Sequence, residues 1–279
     1  MSERAVCTTC PHACKLAEGE LGRCRSRMGH GGSVVALGYG RITSIALDPI
    51  EKKPLARFMP GTTVLSLGSY GCNMDCPFCQ NASIAQVGEH DVRWRTVTPT
   101  EVVDQAKSLR SHRCAGIAYT YNEPLVNWEF LRDTAKLAHE ANFVNVLVSN
   151  GMATARVLDE VAPLIDAANI DLKCFTDEGY RSLGGNLTAA KRTIERLAFE
   201  PGCHLEITTL VVPGLSDDEA SIDAMARWIA SLNPAIPYHL TRFFPQNRML
   251  NTEPTSIPLL HRLAEVAHVH LDDVMLGNV

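Results

Sequence analysis

Gly71-Cys72-Asn73-Met74-Asp75-Cys76-Pro77-Phe78-Cys79 follows almost directly on an apolar run, Thr63-Val-Leu-Ser-Leu67. The spacing is C-x3-C-x2-C, on a loop rich in Gly, Asn, Asp and Pro, residues that favour turns over core packing. Three thiolates on so short a loop, Cys72, Cys76 and Cys79, suit three corners of a 4Fe–4S cube. The fourth iron is then left for a ligand that is not protein. A structural zinc would demand a fourth ligand, and the nearest candidate is His90.

Downstream of this loop the chain alternates. Strand-like runs are expected at 63–67, 116–121, 145–149, 169–173, 205–212 and 237–242, with a seventh near 274–277. Amphipathic helical stretches separate them, at 125–141, 155–165, 189–199, 217–232 and 257–267. A further helix opens at Thr98-Pro-Thr-Glu101, where Thr98 at N-cap, Pro99 at N1 and Glu101 at N3 make a capping box. Strand–helix alternation implies parallel strands with right-handed crossovers. The runs lack strict alternation, as expected for strands covered on both faces. About six such units are too few for a closed eight-stranded barrel. The expected fold is α/β, a partial (β/α)6 TIM-like barrel over 61–279, preceded by a Cys-rich module at 1–30 and connecting strands and loop at 31–60. Within the connection, 34–48 reads as short strands around Gly38-Tyr39-Gly40.

The chain has 279 residues, 46% of them hydrophobic and 20% charged, which excludes a disordered chain. No apolar run is long enough to span a membrane. A net charge of −5 argues against a general nucleic-acid or membrane-surface binder. The N-terminus shows no secretory h-region, so a cytoplasmic, reducing location is expected. There, seven of the ten cysteines in two tight clusters read as metal ligands before disulfides. Cys114, Cys174 and Cys203 are scattered and read as small apolar core residues. Cys7-x2-Cys10-Pro-His12-x-Cys14-x9-Cys24 supplies four thiols. That is enough to close a structural zinc site or to hold a second iron–sulfur cluster, with free or disulfide-paired thiols as the remaining reading. His12 is a bystander or a substitute ligand.

The triplet with an aromatic, Phe78, just before its last Cys resembles the radical S-adenosylmethionine superfamily. The resemblance implies that the open iron is chelated by the amino and carboxylate groups of S-adenosylmethionine. One electron then cleaves the C5′–S bond, and the 5′-deoxyadenosyl radical abstracts hydrogen from a substrate. Tyr119-Thr-Tyr-Asn-Glu-Pro124 is similar to the family's Gly-Gly-Glu-Pro, with Tyr121-Asn122 in place of the glycines and Glu123 retained. Ser149-Asn150-Gly151 resembles the Thr-Asn-Gly of pyruvate formate-lyase activating enzymes, and Asp171-Leu-Lys173 the Asp-x-Lys whose Lys pairs with the cofactor carboxylate. Val212-Pro-Gly214 ends a fifth strand, and His239 resembles the His on the ribose or adenine side. The resemblance thus places Phe78, Asn122, Glu123, Ser149, Asn150, Asp171, Lys173, Val212 and His239 around the cofactor.

A longer segment, Asp48-Pro-Ile-Glu-Lys-Lys-Pro-Leu-Ala-Arg-Phe-Met-Pro-Gly61, together with Leu67–Asn73 and Cys79-Gln-Asn81, resembles the AmmeMemoRadiSam branch. The resemblance implies Memo-like and AMMECR1-like partner proteins and an electron donor of flavodoxin or ferredoxin type. Kinship with activating enzymes offers a glycyl radical enzyme as the alternative target. Arg242, with Phe243-Phe244, is expected to face the substrate as a clamp for carboxylate or phosphate. Tyr121 is a further catalytic candidate, and Tyr119, two residues earlier on the same expected strand, shares its face toward the site. A reading from a different class is a non-catalytic iron–sulfur electron carrier or scaffold.

Overall fold

The computed structural model describes residues 4–279. Eight strands form the main sheet: β1 (Ser44–Pro49), β2 (Thr63–Gly68), β3 (Cys114–Tyr119), β4 (Val144–Ser149), β5 (Ala167–Asp171), β6 (His204–Val211), β7 (Tyr238–Arg242) and β8 (Val274–Gly277). They lie side by side in sequence order; β1 runs antiparallel to β2 and the other neighbours are parallel. The six crossovers between β2 and β8 carry, in turn, α1 (Pro99–Ser108), α2 (Trp128–Glu140), α3 (Ala155–Val161), α4 (Leu187–Ala198), α5 (Glu219–Leu232) and α6 (Ile257–His268). Each crossover steps one strand in the same direction. Right-handed connections therefore put the helices on one face and gather the strands' C-terminal ends at one mouth. This is the α/β partial barrel expected from the alternation.

Local chemistry sets the helix starts. At α1 the Thr98 hydroxyl accepts from the Glu101 amide (3.2 Å), and the Glu101 carboxylate accepts from the Thr98 amide (2.7 Å). Asn186, Asp218 and Ser256 cap α4, α5 and α6 with a side-chain oxygen that accepts from the amide three residues on, without the reciprocal bond. Two short helices, Ala82–Ala85 and Asp177–Ser182, had no legible period because each spans less than two turns. The connecting stretch contributes β1 to the main sheet, pairing along its whole length with β2. No helix among the described residues is long and apolar enough to cross a membrane.

The two faces of the sheet differ. Leu65, Ile117, Leu147, Ile170 and Ile207 pack outward under the helices in the main core. Cys114 and Cys174 are buried there, and Cys203 packs against it. The inner face carries Val64, Ala118, Val146 and Ala167, which close on Ile50 and Leu55. The loop between β1 and β2 thus plugs the lumen. It is held by the side chain of Glu206 on β6, whose carboxylate accepts from the amides of Ala56 (3.0 Å) and Arg57 (2.8 Å). His204 (2.9 Å) and His239 (2.5 Å) approach the same carboxylate.

Burial would push the Glu206 carboxyl up, but bonds from the two histidines and two amides outweigh it and hold its pKa at about 2. A carboxyl depressed in the folded state stabilises the fold above its unfolded pKa and loses that contribution as pH falls through the folded value. The floor is therefore expected to weaken between pH ~4.5 and ~2, by roughly 3 kcal/mol in total. Urea unfolding across this range should show the loss in the wild type and a shallower acid limb in Glu206→Gln, the remaining slope coming from other depressed carboxyls such as Asp48.

Candidate active site at the mouth of the sheet

The C-terminal ends of the strands surround a cavity of about 490 Å³, within the range of small-molecule sites. Cys72, Cys76 and Cys79 line it from the loop after β2, Tyr121, Asn122 and Glu123 from the loop after β3, Ser149 and Asn150 from the end of β4, and Asp171 and Lys173 from the end of β5. Phe78 forms part of the wall and is buried.

The cysteine loop is pinned from several sides. Gly71 has φ +85°, and a Cβ there would stand 2.3 Å from the carbonyl oxygen of Cys24, so only glycine fits. The Asn122 side chain donates to the carbonyls of Gly71 (3.0 Å) and Tyr70 (3.2 Å) and accepts from the Ser69 amide (2.9 Å). Asn150 donates to the Asn73 side chain (2.9 Å) and approaches the Cys72 sulfur (3.5 Å). Asn73 in turn donates to the Met152 carbonyl (2.8 Å).

Burial pushes the thiols up: Cys72 well above its ordinary value, Cys76 to about 11, and Cys79 upward. Their mutual repulsion adds to it. Such thiols deprotonate when a cationic centre takes them as ligands. Among the described residues no three His, Cys, Asp or Glu side chains converge on a single ion. A cube, in which each thiolate takes its own iron, does not require that convergence. Three thiols and no further cysteine line the cavity, a donor set that fits a 4Fe–4S cluster with one open corner.

Glu123 is buried, and its carboxylate accepts from the Ser149 hydroxyl (2.8 Å) and from the amides of Asn150 (2.8 Å) and Leu125 (3.0 Å). Desolvation raises its pKa to about 7 despite those bonds. The Lys173 ammonium donates to Asp171 at 2.8 Å. Burial opposes its charge, but Asp171 and Cys76 outweigh that and hold the pKa above its ordinary value.

Tyr121 lies past the end of β3 with φ +70°, so the alternation of the strand does not reach it. Its hydroxyl donates to Asp48 (2.5 Å), which also accepts from Lys53 (2.7 Å). The Lys53 ammonium sits 4.6 Å from the centre of the tyrosine ring. Tyr119 instead points into the outer core, its hydroxyl bonded to Asn145 (3.1 Å).

Three expected residues do not line the cavity. Val212 is buried, its amide donating to the Ser216 hydroxyl (3.0 Å). His239 is spent on Glu206 in the layer beneath. Arg242 is turned the other way: Thr241 lines the cavity, its neighbour on the strand faces opposite, and the guanidinium donates to the Thr255 carbonyl (2.7 Å) and packs on Phe244. Phe243 is fully buried. Cavity-lining residues that sequence reading passed over include Lys52, Lys53, Thr208, Thr241 and Asn278, of which Lys53 and Thr208 are buried. The two lysines were signalled by the charged run Glu51-Lys52-Lys53, in a segment that also holds Asp48 and Arg57.

A Cβ on Gly68 would lie 2.9 Å from Cδ2 and 3.0 Å from Cβ of Tyr121. Gly68→Ala is therefore expected to cost about 1–3 kcal/mol. Because the clash is with one side chain, Gly68→Ala combined with Tyr121→Gly should cost less than the sum of the single changes, as denaturant titration of the four proteins would show.

Residues 67–226 match the Radical SAM superfamily. The chain is 37% identical over 275 residues to an uncharacterised protein of Methanocaldococcus jannaschii, covering 98% of this chain and 81% of that one. It is 25% identical over 186 residues to the pyruvate formate-lyase 1-activating enzyme of Escherichia coli, covering 61% and 71%. The fold is similar to that of QueE from Escherichia coli, with a TM-score of 0.56 at 12% identity over 85% of this chain and 93% of that one. Matched over more than half its length, with its triplet at the mouth of a partial barrel, the chain belongs to the Radical SAM superfamily and is an enzyme related to glycyl-radical activating enzymes.

Proposed function

We propose that this protein generates a 5′-deoxyadenosyl radical and uses it to take hydrogen from a substrate that enters past the exposed Lys52, in an AmmeMemoRadiSam-type system. The observation that carries the reading is the gathering of the three thiols, the buried Glu123 carboxylate and the Lys173 ammonium around one cavity. The family implies a 4Fe–4S cluster and S-adenosylmethionine. When bound, they supply the one-electron cleavage of the C5′–S bond, with the electron drawn from a flavodoxin- or ferredoxin-type donor.

The protein's own part is placement. Cys72, Cys76 and Cys79 hold the cluster. Glu123, already fixed by Ser149 and Asn150, offers a carboxylate to a cofactor amino group, and Lys173 offers an ammonium to its carboxylate. Asn122 holds the backbone of the cysteine loop. Phe78 keeps water from that wall. Lys52, exposed at the rim, gives the entrance a positive charge that suits an acidic substrate group.

Similarity to the Escherichia coli activating enzyme favours one second reading, abstraction from a backbone glycine of a glycyl radical enzyme. Memo-like and AMMECR1-like proteins are the partners of the first reading.

Anaerobic reconstitution with iron, sulfide, dithionite and S-adenosylmethionine should yield 5′-deoxyadenosine. Cys76→Ala should abolish it, and wild-type yield no higher than that control would refute the reading. Lys173→Ala removes a charged hydrogen-bond donor and should slow formation roughly 10- to 100-fold. Incubation with candidate glycyl radical proteins should give no glycyl doublet by EPR; its appearance would select the second reading.

A further inference from the structure

The residues assigned to the cluster and the cofactor line only part of the cavity. The top of the plug, Lys52, Lys53 and Pro54, lines another part, together with Thr208 of β6. The Asn169 side chain donates to the Pro54 carbonyl (2.8 Å), and Glu206, level with Asn169 on the adjacent strand, holds the Ala56 and Arg57 amides. The plug is thus tied across the lumen one inward position below Thr208, which lies two residues beyond Glu206 on the same face.

Thr208 is 6% exposed and lines the cavity, yet its hydroxyl has no partner among the described residues. Its neighbours across the strands are spent elsewhere, Asp171 on Lys173 and His239 on Glu206. A buried hydroxyl without a partner costs free energy, and in the wall of a cavity it points to a ligand that supplies one.

Lys53 is 3% exposed and lines the same cavity. Its ammonium donates to Asp48 (2.7 Å), which also accepts from the Tyr121 hydroxyl (2.5 Å), and the Tyr121 ring centre lies 4.6 Å away. An ammonium carries three donors, and Asp48 takes one of them. Burial pulls the Lys53 pKa below its ordinary value even with Asp48 beside it, so that pairing does not fully compensate the charge. Lys52 stands 3.8 Å from the same carboxylate. Two ammonium groups against one carboxylate leave this part of the cavity with an excess of positive charge.

We propose that Lys53 and Thr208 anchor the substrate, and that they bind the oxyanion, a carboxylate or a phosphate, of a small molecule lying on the plug. The anion accepts from the Lys53 ammonium and from the Thr208 hydroxyl, while the bonds from Tyr121 and Lys53 to Asp48 hold the ammonium in place. Beneath the plug surface Ile50 and Leu55 close on Val64 and Ala118, so the lumen offers no deeper room for a protein loop. The role as substrate subsite rests on the reaction proposed above; the anion site itself does not.

The test uses the full chain, purified anaerobically, with S-adenosylmethionine in excess so that Lys173 is engaged by the cofactor. Inorganic phosphate and acetate are titrated separately and followed by the line widths of their phosphorus and carbon NMR signals. Saturable binding is expected; tighter phosphate binding assigns a phosphorylated substrate and tighter acetate binding a carboxylic acid, and either supports the proposal. Lys53→Met combined with Asp48→Asn, which leaves no unpaired carboxylate behind, should weaken binding about tenfold or more, and Thr208→Val about three- to tenfold. Thr208→Val should also raise the urea midpoint of the anion-free protein, because it removes a buried hydroxyl that has no partner; a threonine kept for structure alone would lower it. Binding without saturation, binding unchanged in either variant, or a lower midpoint in Thr208→Val overturns the proposal. None of these readouts requires radical chemistry. Failure to form 5′-deoxyadenosine would sink the reaction and leave the anion site standing, and a failed titration would do the reverse.

Discussion

A carboxylate buried at the mouth of a parallel sheet holds this site together. Glu123 draws the Ser149 hydroxyl and the Asn150 amide onto itself, and so fastens the loop after β3 to the end of β4. Asn150 extends the link to Asn73, beside the first cysteine of the triplet. Three loops that share no covalent continuity become one rigid collar. A charge out of water is costly unless its acceptors are filled, and that cost makes the collar specific: each donor has one place to go.

Below the collar the lumen is layered. Aliphatic side chains from the β1–β2 loop meet Val64, Ala118 and Val146 at the bottom. Above them lies the Glu206 cluster with His204 and His239, and above that the cavity. The polar middle layer separates a dry core from the chemistry. It also explains why His239 serves the floor: its nearest strong acceptor is one position lower in the barrel, on the adjacent strand.

What could be read from the chain follows from how local the signal was. The cysteine spacing, the capping box at Thr98 and the strand-end motifs through Lys173 are all short-range patterns; the capping box opens α1 and the other motifs lie at the ends of their strands around one cavity. The errors came where register across strands decides the outcome. Arg242 faces away because Thr241 takes the inward position of β7, a parity no single run reveals. The partner of His239 lies 33 residues away on another strand. Tyr121 escaped the two-residue rule because the backbone leaves the strand before it. The edge strand β1 and the plug that follows it read as a mere connection, since their meaning depends on a sheet assembled from later sequence.

The plug has a temporal consequence. Ala56 meets Glu206 across 150 residues, and Arg57 meets Asp273 across 216. Contacts of such separation close late, after the entropy of the intervening chain has been lost. During synthesis the segment 50–58 leaves the ribosome long before its acceptors do, and Ile50 and Leu55 wait unsheltered until Ala118, Val146 and Ala167 have emerged. The plug is thus covered once β5 has emerged, but its polar fastening is complete only when Glu206 and Asp273 have followed.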